Sequence, residues 1–259
     1  TANHRSIKYG DGVFESIRVI NGKSTFINKN LKRLFKTAAL IKLNVKFSTD
    51  EIKQQIALLL EKNQIQKSGR IRISLYRNAE GFYKPASNEC DLIIEATKID
   101  ALATYELNMP GLVVDIYKNA YKPLHFLSEV KSSSSLLYVL AAEWAKQHYL
   151  DDALLINEKK NICEATSSNL FWVKNAVVYT PPISEGCLPG IMREVLIELM
   201  QKNNLEIFEK PCTENDLLEA DELFLSNAIH GIKWIVAYKN KRYFTNTAKK
   251  LINYLNQLI

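Results

Sequence analysis

The chain is 259 residues long, 47% hydrophobic and 24% charged, which suits a globular fold with a sizeable core in one large domain or two modest ones. No apolar run approaches the ~20 residues of a membrane helix, the start TANHRSIKYGDG lacks a signal-peptide pattern, and four scattered cysteines and four scattered histidines point to a reducing cytoplasm without disulfide framework or metal site. The net charge of +6 comes from lysines dispersed among acids, so it implies no nucleic-acid partner and suits a small anionic substrate.

In chain order, Tyr9–Gly10–Asp11–Gly12–Val13–Phe14–Glu15 reads as a glycine-rich turn into a strand that runs to Ile20, with a hairpin turn at Asn21–Gly22. Leu31, Leu34, Phe35, Ala38 and Ile41 recur at helical spacing. Ser48–Thr49–Asp50–Glu51 reads as a capping box that opens a helix with Ile52, Ile56 and Leu59 on one face. Arg70–Tyr76 alternates as a half-buried strand, followed by Arg77 and a loop with Gly81 and Pro85. Asp91–Thr97 and Leu112–Tyr117 are further strands. The polar piece Asp100–Pro110 between them is the expected link, which divides the chain into residues 1–106 and 107–259. Glu129–Val130–Lys131 and a serine run then lead into a helical pattern through Leu136, Val139, Leu140, Ala142 and Trp144 to Gln147.

The most informative stretch is LDDALLINEKKNICEATSSNLFWVKNAVVYTPPISEGCLPGIMRE, residues 150–194. Short apolar runs at Leu154–Ile156, Ile162–Cys163, Leu170–Val173 and Val177–Tyr179 alternate with polar turns and end at Pro181–Pro182. Gly186 and Pro189–Gly190 precede a helix with Met192, Val195, Leu196 and Leu199 on one face. Thr213–Asp216 caps a short helix, Trp234–Tyr238 is a strand, and Thr247–Leu258 is a terminal amphipathic helix. Strands, hairpins and helices mixed in this way suit α+β. Physically, Glu164 places a carboxylate at a strand junction, hydroxyls and an amide follow it, and a glycine before a helix leaves backbone N–H groups for an anion. A cofactor with a basic nitrogen and a phosphate matches both ends. The same residues, taken alone, also make an exposed hairpin carboxylate and an ordinary loop-to-helix joint.

EATSSNLFWV, YTPP and CLPGIMR, in that order, resemble the signature of the class IV aminotransferases, fold-type IV enzymes that use pyridoxal 5'-phosphate. The resemblance runs from Tyr9 to about Ile235. It implies a D-amino-acid aminotransferase-like fold. A small α/β N-terminal domain is joined to a barrel-like α/β C-terminal domain, with the cofactor in the cleft between them. It also implies a homodimer and a further strand ahead of Thr1. By position, Lys131 forms the Schiff base and moves the substrate proton, and Glu164 pairs with the ring nitrogen. Arg33, in NKNLKRLF where the family has H-x-x-R-L, is the phosphate ligand. Leu188 packs on the ring, Gly190 and Ile191 offer N–H groups to the phosphate, and Ser167, Ser168 and Asn169 orient the ring. In ADELFLSNAIHGI, Ser226, Asn227 and Ala228 lie beside the phosphate.

The substrate side leans towards one branch. Leu136 stands where branched-chain aminotransferases carry a tyrosine, and Ser226–Ile229 holds no threonine. Phe14 stands where D-amino-acid aminotransferases use a tyrosine hydroxyl, and Arg77–Asn78–Ala79 has the arginine of their arginine–x–histidine without the histidine. The chain therefore most resembles the aminodeoxychorismate lyases, which eliminate pyruvate to give 4-aminobenzoate for folate synthesis. Phe14 and Arg77 are the expected substrate contacts, Arg77 for a carboxylate. The alternative is an aminotransferase acting on branched-chain, D-amino acid or amine substrates.

Overall fold

Alternation puts Val13, Ile17 and Val19 on one face of a strand and Ile71, Ile73 and Leu75 on the same face of its neighbour, and the six side chains meet in one buried cluster. They belong to the first of two units in the computed structural model, which describes residues 5–259. This unit comprises Thr1–Ala103 and Val130–Ser135, and the second comprises Thr104–Glu129 and Leu136–Ile259. The beginning of the polar N-terminal stretch, residues 1–4, lies outside the described residues.

The first unit runs α1 (Arg5–Tyr9), β1 (Gly12–Ile20), β2 (Lys23–Ser24), α2 (Ile27–Leu40), α3 (Thr49–Lys62), β3 (Ser68–Arg77) and β4 (Cys90–Lys98). Its sheet has the order β2-β1-β3-β4 and is antiparallel throughout. Asn21 and Gly22 both take positive φ, 51° and 71°, which is the tight hairpin chemistry their pairing predicts. The helices cover one face of the sheet: Leu31, Leu34, Ala38, Ile52 and Ile56 complete the core. The register Gly12↔Tyr76, Phe14↔Ser74, Ser16↔Arg72 puts these residues on the opposite face.

The second unit runs β5 (Leu112–Lys122), α4 (Leu136–Gln147), β6 (Asp152–Asn157), β7 (Ile162–Ala165), β8 (Asn169–Lys174), β9 (Val177–Thr180), α5 (Ile191–Lys202), β10 (Ile207–Glu209), α6 (Glu214–Glu219), β11 (Glu222–Asn227), β12 (Gly231–Tyr238), β13 (Lys241–Arg242) and α7 (Asn246–Asn256). Its sheet runs β10-β9-β8-β11-β12-β5-β6-β7, and a pairing of β7 back to β8 closes part of it into a ring. The closing pair is Glu164↔Asn169. Leu154, Ile162, Leu170, Trp172, Leu223, Leu225 and Ile235 fill one cluster of this unit. Ala141, Ala145, Leu155, Cys163 and Cys187 form another under α4. Of the residues in the helical pattern of α4, Leu136, Val139 and Leu140 are 68%, 60% and 49% exposed, and the buried side is Ala141 and Ala145. Leucines all round a helix hide which side packs, and here the smaller residues allow close approach. Among the described residues, no helix is long and apolar enough to cross a membrane.

Candidate active site

Glu164 is 3% exposed at the seam of the ring. The strand β7 is buried along its whole length, so a charge there needs partners. It has three. The Lys122 ammonium, at the end of β5, and the Tyr138 hydroxyl, from α4 at 2.8 Å, both donate to Oε1. The Leu188 N–H donates to Oε2 at 2.8 Å. Burial alone would lower the Lys122 pKa, but the Glu164 carboxylate beside it raises it well above the usual lysine range. Burial, with the Glu164 charge adding to it, pushes the Tyr138 hydroxyl up, so it stays protonated.

From this carboxylate a chain of contacts leads to the start of α5. Asn169 Nδ2 donates to the Leu188 carbonyl at 2.8 Å. A Cβ on Gly190 would stand 1.9 Å from Asn169 Oδ1, so only glycine fits there; its φ of −68° is one any residue adopts. Gly190 is the N-cap of α5 and makes no side-chain cap bond. The first-turn N–H groups of this 12-residue helix, from Ile191 onward, have no acceptor within the helix. Ser168 Oγ accepts from Asn227 Nδ2 at 2.9 Å, while Asn227 Oδ1 accepts the N–H groups of Ile229 and His230 at 3.1 and 2.8 Å. Ser226, paired with Asn169 in the register of β11 and β8, is 2% exposed and its Oγ has no hydrogen-bond partner. Ala228 follows, its carbonyl accepting from Tyr105. Ser167 is exposed in the bend after β7. The second unit thus brings Glu164, Ser168, Asn169, Leu188, Gly190, Ser226 and Asn227 into one connected set. A buried carboxylate with a lone pair to spare, an uncapped helix start and an orphaned buried hydroxyl fit a ring nitrogen and a phosphate.

In the first unit Lys131 is anchored by backbone bonds: the Phe14 N–H donates to its carbonyl at 3.0 Å, and Val13 bridges Ser132. Lys131 Nζ stands 4.5 Å from the Phe14 ring centroid, and the Arg72 guanidinium 3.8 Å from it. Tyr76 lies on the same face, and the hydroxyls of Ser74 and Ser133 are buried without hydrogen-bond partners. Arg33 is placed elsewhere. Its guanidinium makes a two-point bond to Glu15, 2.7 and 2.6 Å, on the face of β1 opposite Phe14, and Asn30 also donates to that carboxylate. Arg77 does not join Phe14 and Lys131 either. Its donors go to Asp11, Asn88 and the carbonyls of Ile41 and Lys42. Those bonds occupy its guanidinium and leave Arg72 as the arginine next to Phe14. Sequence reasoning did not single out Lys122 and Tyr138, the partners of Glu164, or Arg72, the neighbour of Phe14. Strand alternation from Phe14 and its partner strand was the one signal that could have found Arg72; no spacing signal joined Lys122 to a carboxylate 42 residues away.

A sequence profile of the amino-transferase class IV proteins matches residues 12–238. The D-alanine aminotransferase of Bacillus licheniformis is 30% identical over 226 residues, 86% of this chain and 77% of that one. A Legionella pneumophila protein provisionally assigned as a 4-amino-4-deoxychorismate lyase has a crystal structure that superposes with a TM-score of 0.89 at 27% identity, covering 99% of this chain and 94% of that one. The T.th. branched-chain amino acid aminotransferase, solved with pyridoxamine 5'-phosphate, gives a TM-score of 0.90 at 22% identity over 98% of this chain and 87% of that one.

Proposed function

The chain belongs to the amino-transferase class IV family, whose enzymes use pyridoxal phosphate, and on that premise we propose that it is a lyase acting on 4-amino-4-deoxychorismate. The reaction breaks the bond from the ring to the enolpyruvyl oxygen and releases pyruvate. A ring proton is lost, and the aromatic product is 4-aminobenzoate. The observation that carries this reading is the Phe14 ring with Arg72 at 3.8 Å and Lys131 at 4.5 Å. An aromatic surface flanked by cations suits a flat cyclic substrate with two carboxylates. A hydroxyl at position 14, which would hold an amino-acid carboxylate, is missing.

Each residue then has a task. Lys131 Nζ holds the cofactor and takes the ring proton from the substrate. Arg72 binds a substrate carboxylate, the role first expected of Arg77. Glu164 Oε2 holds the N–H of the cofactor ring, and Leu188 packs beside it. Gly190 and Ile191 present N–H groups to the phosphate, with Ser226, Asn227 and Ala228; Arg33, the arginine that the resemblance gives to the phosphate, would have to serve it while its guanidinium also holds Glu15. Ser167, Ser168 and Asn169 orient the surroundings of the ring. When bound, the cofactor supplies an electron sink for the carbon next to the substrate nitrogen. The enzyme works in the cytoplasm as a homodimer, a reading supported by its free cysteines and by the apolar residues exposed on α4.

A second reading, an aminotransferase on D- or branched-chain amino acids, draws support from the D-alanine and branched-chain enzymes among the relatives. One experiment separates the two. The visible band of the bound cofactor is followed with L- and D-amino acids, and then with aminodeoxychorismate generated in place by its synthase. The expected result is an unchanged band with amino acids and equal amounts of pyruvate and 4-aminobenzoate from aminodeoxychorismate. A band bleached by an amino acid and restored by a keto acid would make the protein a transaminase.

A further inference from the structure

A carboxylate offers about four lone-pair positions, and Lys122, Tyr138 and the Leu188 N–H take three of those on Glu164. Oε1 carries two of these donors and Oε2 one, so the remaining acceptor position is on Oε2. Lys122 is 3% exposed and Glu164 is 3% exposed, so neither charge has water to lean on. The titratable groups facing Glu164 are Lys122 from β5, Tyr138 from α4, Cys163 from β7 itself and Cys187 from the segment before α5. Burial and then the Glu164 charge push both thiols up, Cys187 to about 12, as they do the Tyr138 hydroxyl. These three stay neutral, and Lys122 is the cation of the set.

We propose that Lys122 is a positioning residue: it keeps Glu164 charged and fixes Oε1 inward, so that Oε2 is presented to the ring nitrogen of the cofactor. The proposal rests on the reading of Glu164 given above. Its physical content is that a buried carboxylate stripped of its counter-ion takes up a proton near neutral pH. A neutral carboxyl group still accepts a hydrogen bond but lacks the negative charge that keeps the ring nitrogen protonated. Removing Lys122 should therefore reproduce the removal of the Glu164 charge, but only below the pH at which that carboxyl ionises again. The arginine variant keeps the positive charge and should preserve the wild-type behaviour.

The test uses full-length K122M, E164Q, the K122M/E164Q double variant and K122R, with and without pyridoxal phosphate. Without cofactor, the melting temperature of each is followed from pH 5 to pH 9. In K122M the folded state holds the Glu164 proton more tightly than the unfolded state, so stability falls as pH rises through this range. Near pH 8 the expected loss is on the order of 10 °C. The double variant has no buried charge and shows no such slope; if K122M does not fold while the double variant does, the same coupling is shown. With cofactor, K122M has the E164Q absorbance spectrum at pH 7 and moves towards the wild-type spectrum at alkaline pH, while K122R follows the wild type throughout. A K122M melting profile parallel to the wild type overturns the proposal, because Lys122 is then no counter-ion. A slope in K122M combined with wild-type spectra in both K122M and E164Q overturns it differently: the pair is real, and Glu164 does not serve the ring nitrogen.

Discussion

Arg33 faces two demands, a bond to Glu15 that is present and a phosphate role that is proposed. Its guanidinium grips Glu15, which is fully buried, through two hydrogen bonds, and Asn30 adds a third. A buried carboxylate of this kind is tolerated only with a partner in good geometry. Arg33→Met is therefore expected to cost about 3–5 kcal/mol of stability without any cofactor present. Adding Glu15→Gln should recover most of that loss, because the orphaned charge is gone. Urea unfolding of the cofactor-free proteins measures both. A wild-type urea midpoint for the single variant would show that the pair contributes nothing to the fold, and would leave Arg33 with its proposed phosphate role alone. Arg72 and Arg77 make the complementary point. They lie on one strand at odd spacing, so they leave it in opposite directions, and only one reaches Phe14.

The elements are legible where their chemistry is local. Ser48 Oγ accepts from the Glu51 N–H at 3.2 Å, and the Ser48 N–H donates to Glu51 Oε2 at 2.7 Å, so the expected capping box is formed. Thr213 and Asp216 repeat it at α6. Ser48→Ala should lower the melting temperature by roughly 2–4 °C at neutral pH. The bonds from the Ser48 backbone and hydroxyl hold the Glu51 carboxyl below its usual range. A depressed carboxyl stabilises above its unfolded pKa and loses that contribution as pH falls through its folded one. The gap between wild type and variant should thus narrow below about pH 4 in paired melts; a gap independent of pH would mean that Glu51 takes no part. The Asn21–Gly22 turn was readable for the same reason, since two residues decide it. Glu164 and Gly190 stood out because a junction and a break mark them in the chain, whereas Lys131 was singled out by the family resemblance alone. Lys122 and Tyr138 did not stand out, because what gives them meaning is a strand pairing and a helix packing that join residues 42 and 26 positions apart. The packing side of α4 was not legible for a related reason: Ala141 and Ala145 carry little hydrophobic signal, and the leucines that carry more of it are exposed. Nothing in the sequence pattern announced α1 or β10, which are short and take their shape from their neighbours.

At the scale of the whole molecule, the outward leucines lead to the last prediction. Leu136, Val139 and Leu140 are spaced by three and four residues, so they form one stripe along α4. Phe126 and Leu127, earlier in the same unit, are also 59% and 46% exposed. Scattered exposed leucines are ordinary, but three exposed apolar side chains in one stripe of a helix have the composition of an interface core. Covering a large apolar side chain fully gains about 1.5–3 kcal/mol, enough in sum for a few such residues to hold two copies together at micromolar concentration. A second copy of this chain is the partner expected of the family, and a two-fold axis lets one stripe meet its own twin. The Leu136→Lys/Val139→Lys variant should then be a monomer by light scattering where the wild type is a dimer. Its far-ultraviolet circular dichroism should be unchanged, because neither residue belongs to the core of its unit. A wild-type protein that is monomeric at tens of micromolar would refute the homodimer. A double variant that remains dimeric would place the interface on another surface. Either result would also bear on the catalytic proposal, because the family is expected to complete its substrate site with residues of the partner.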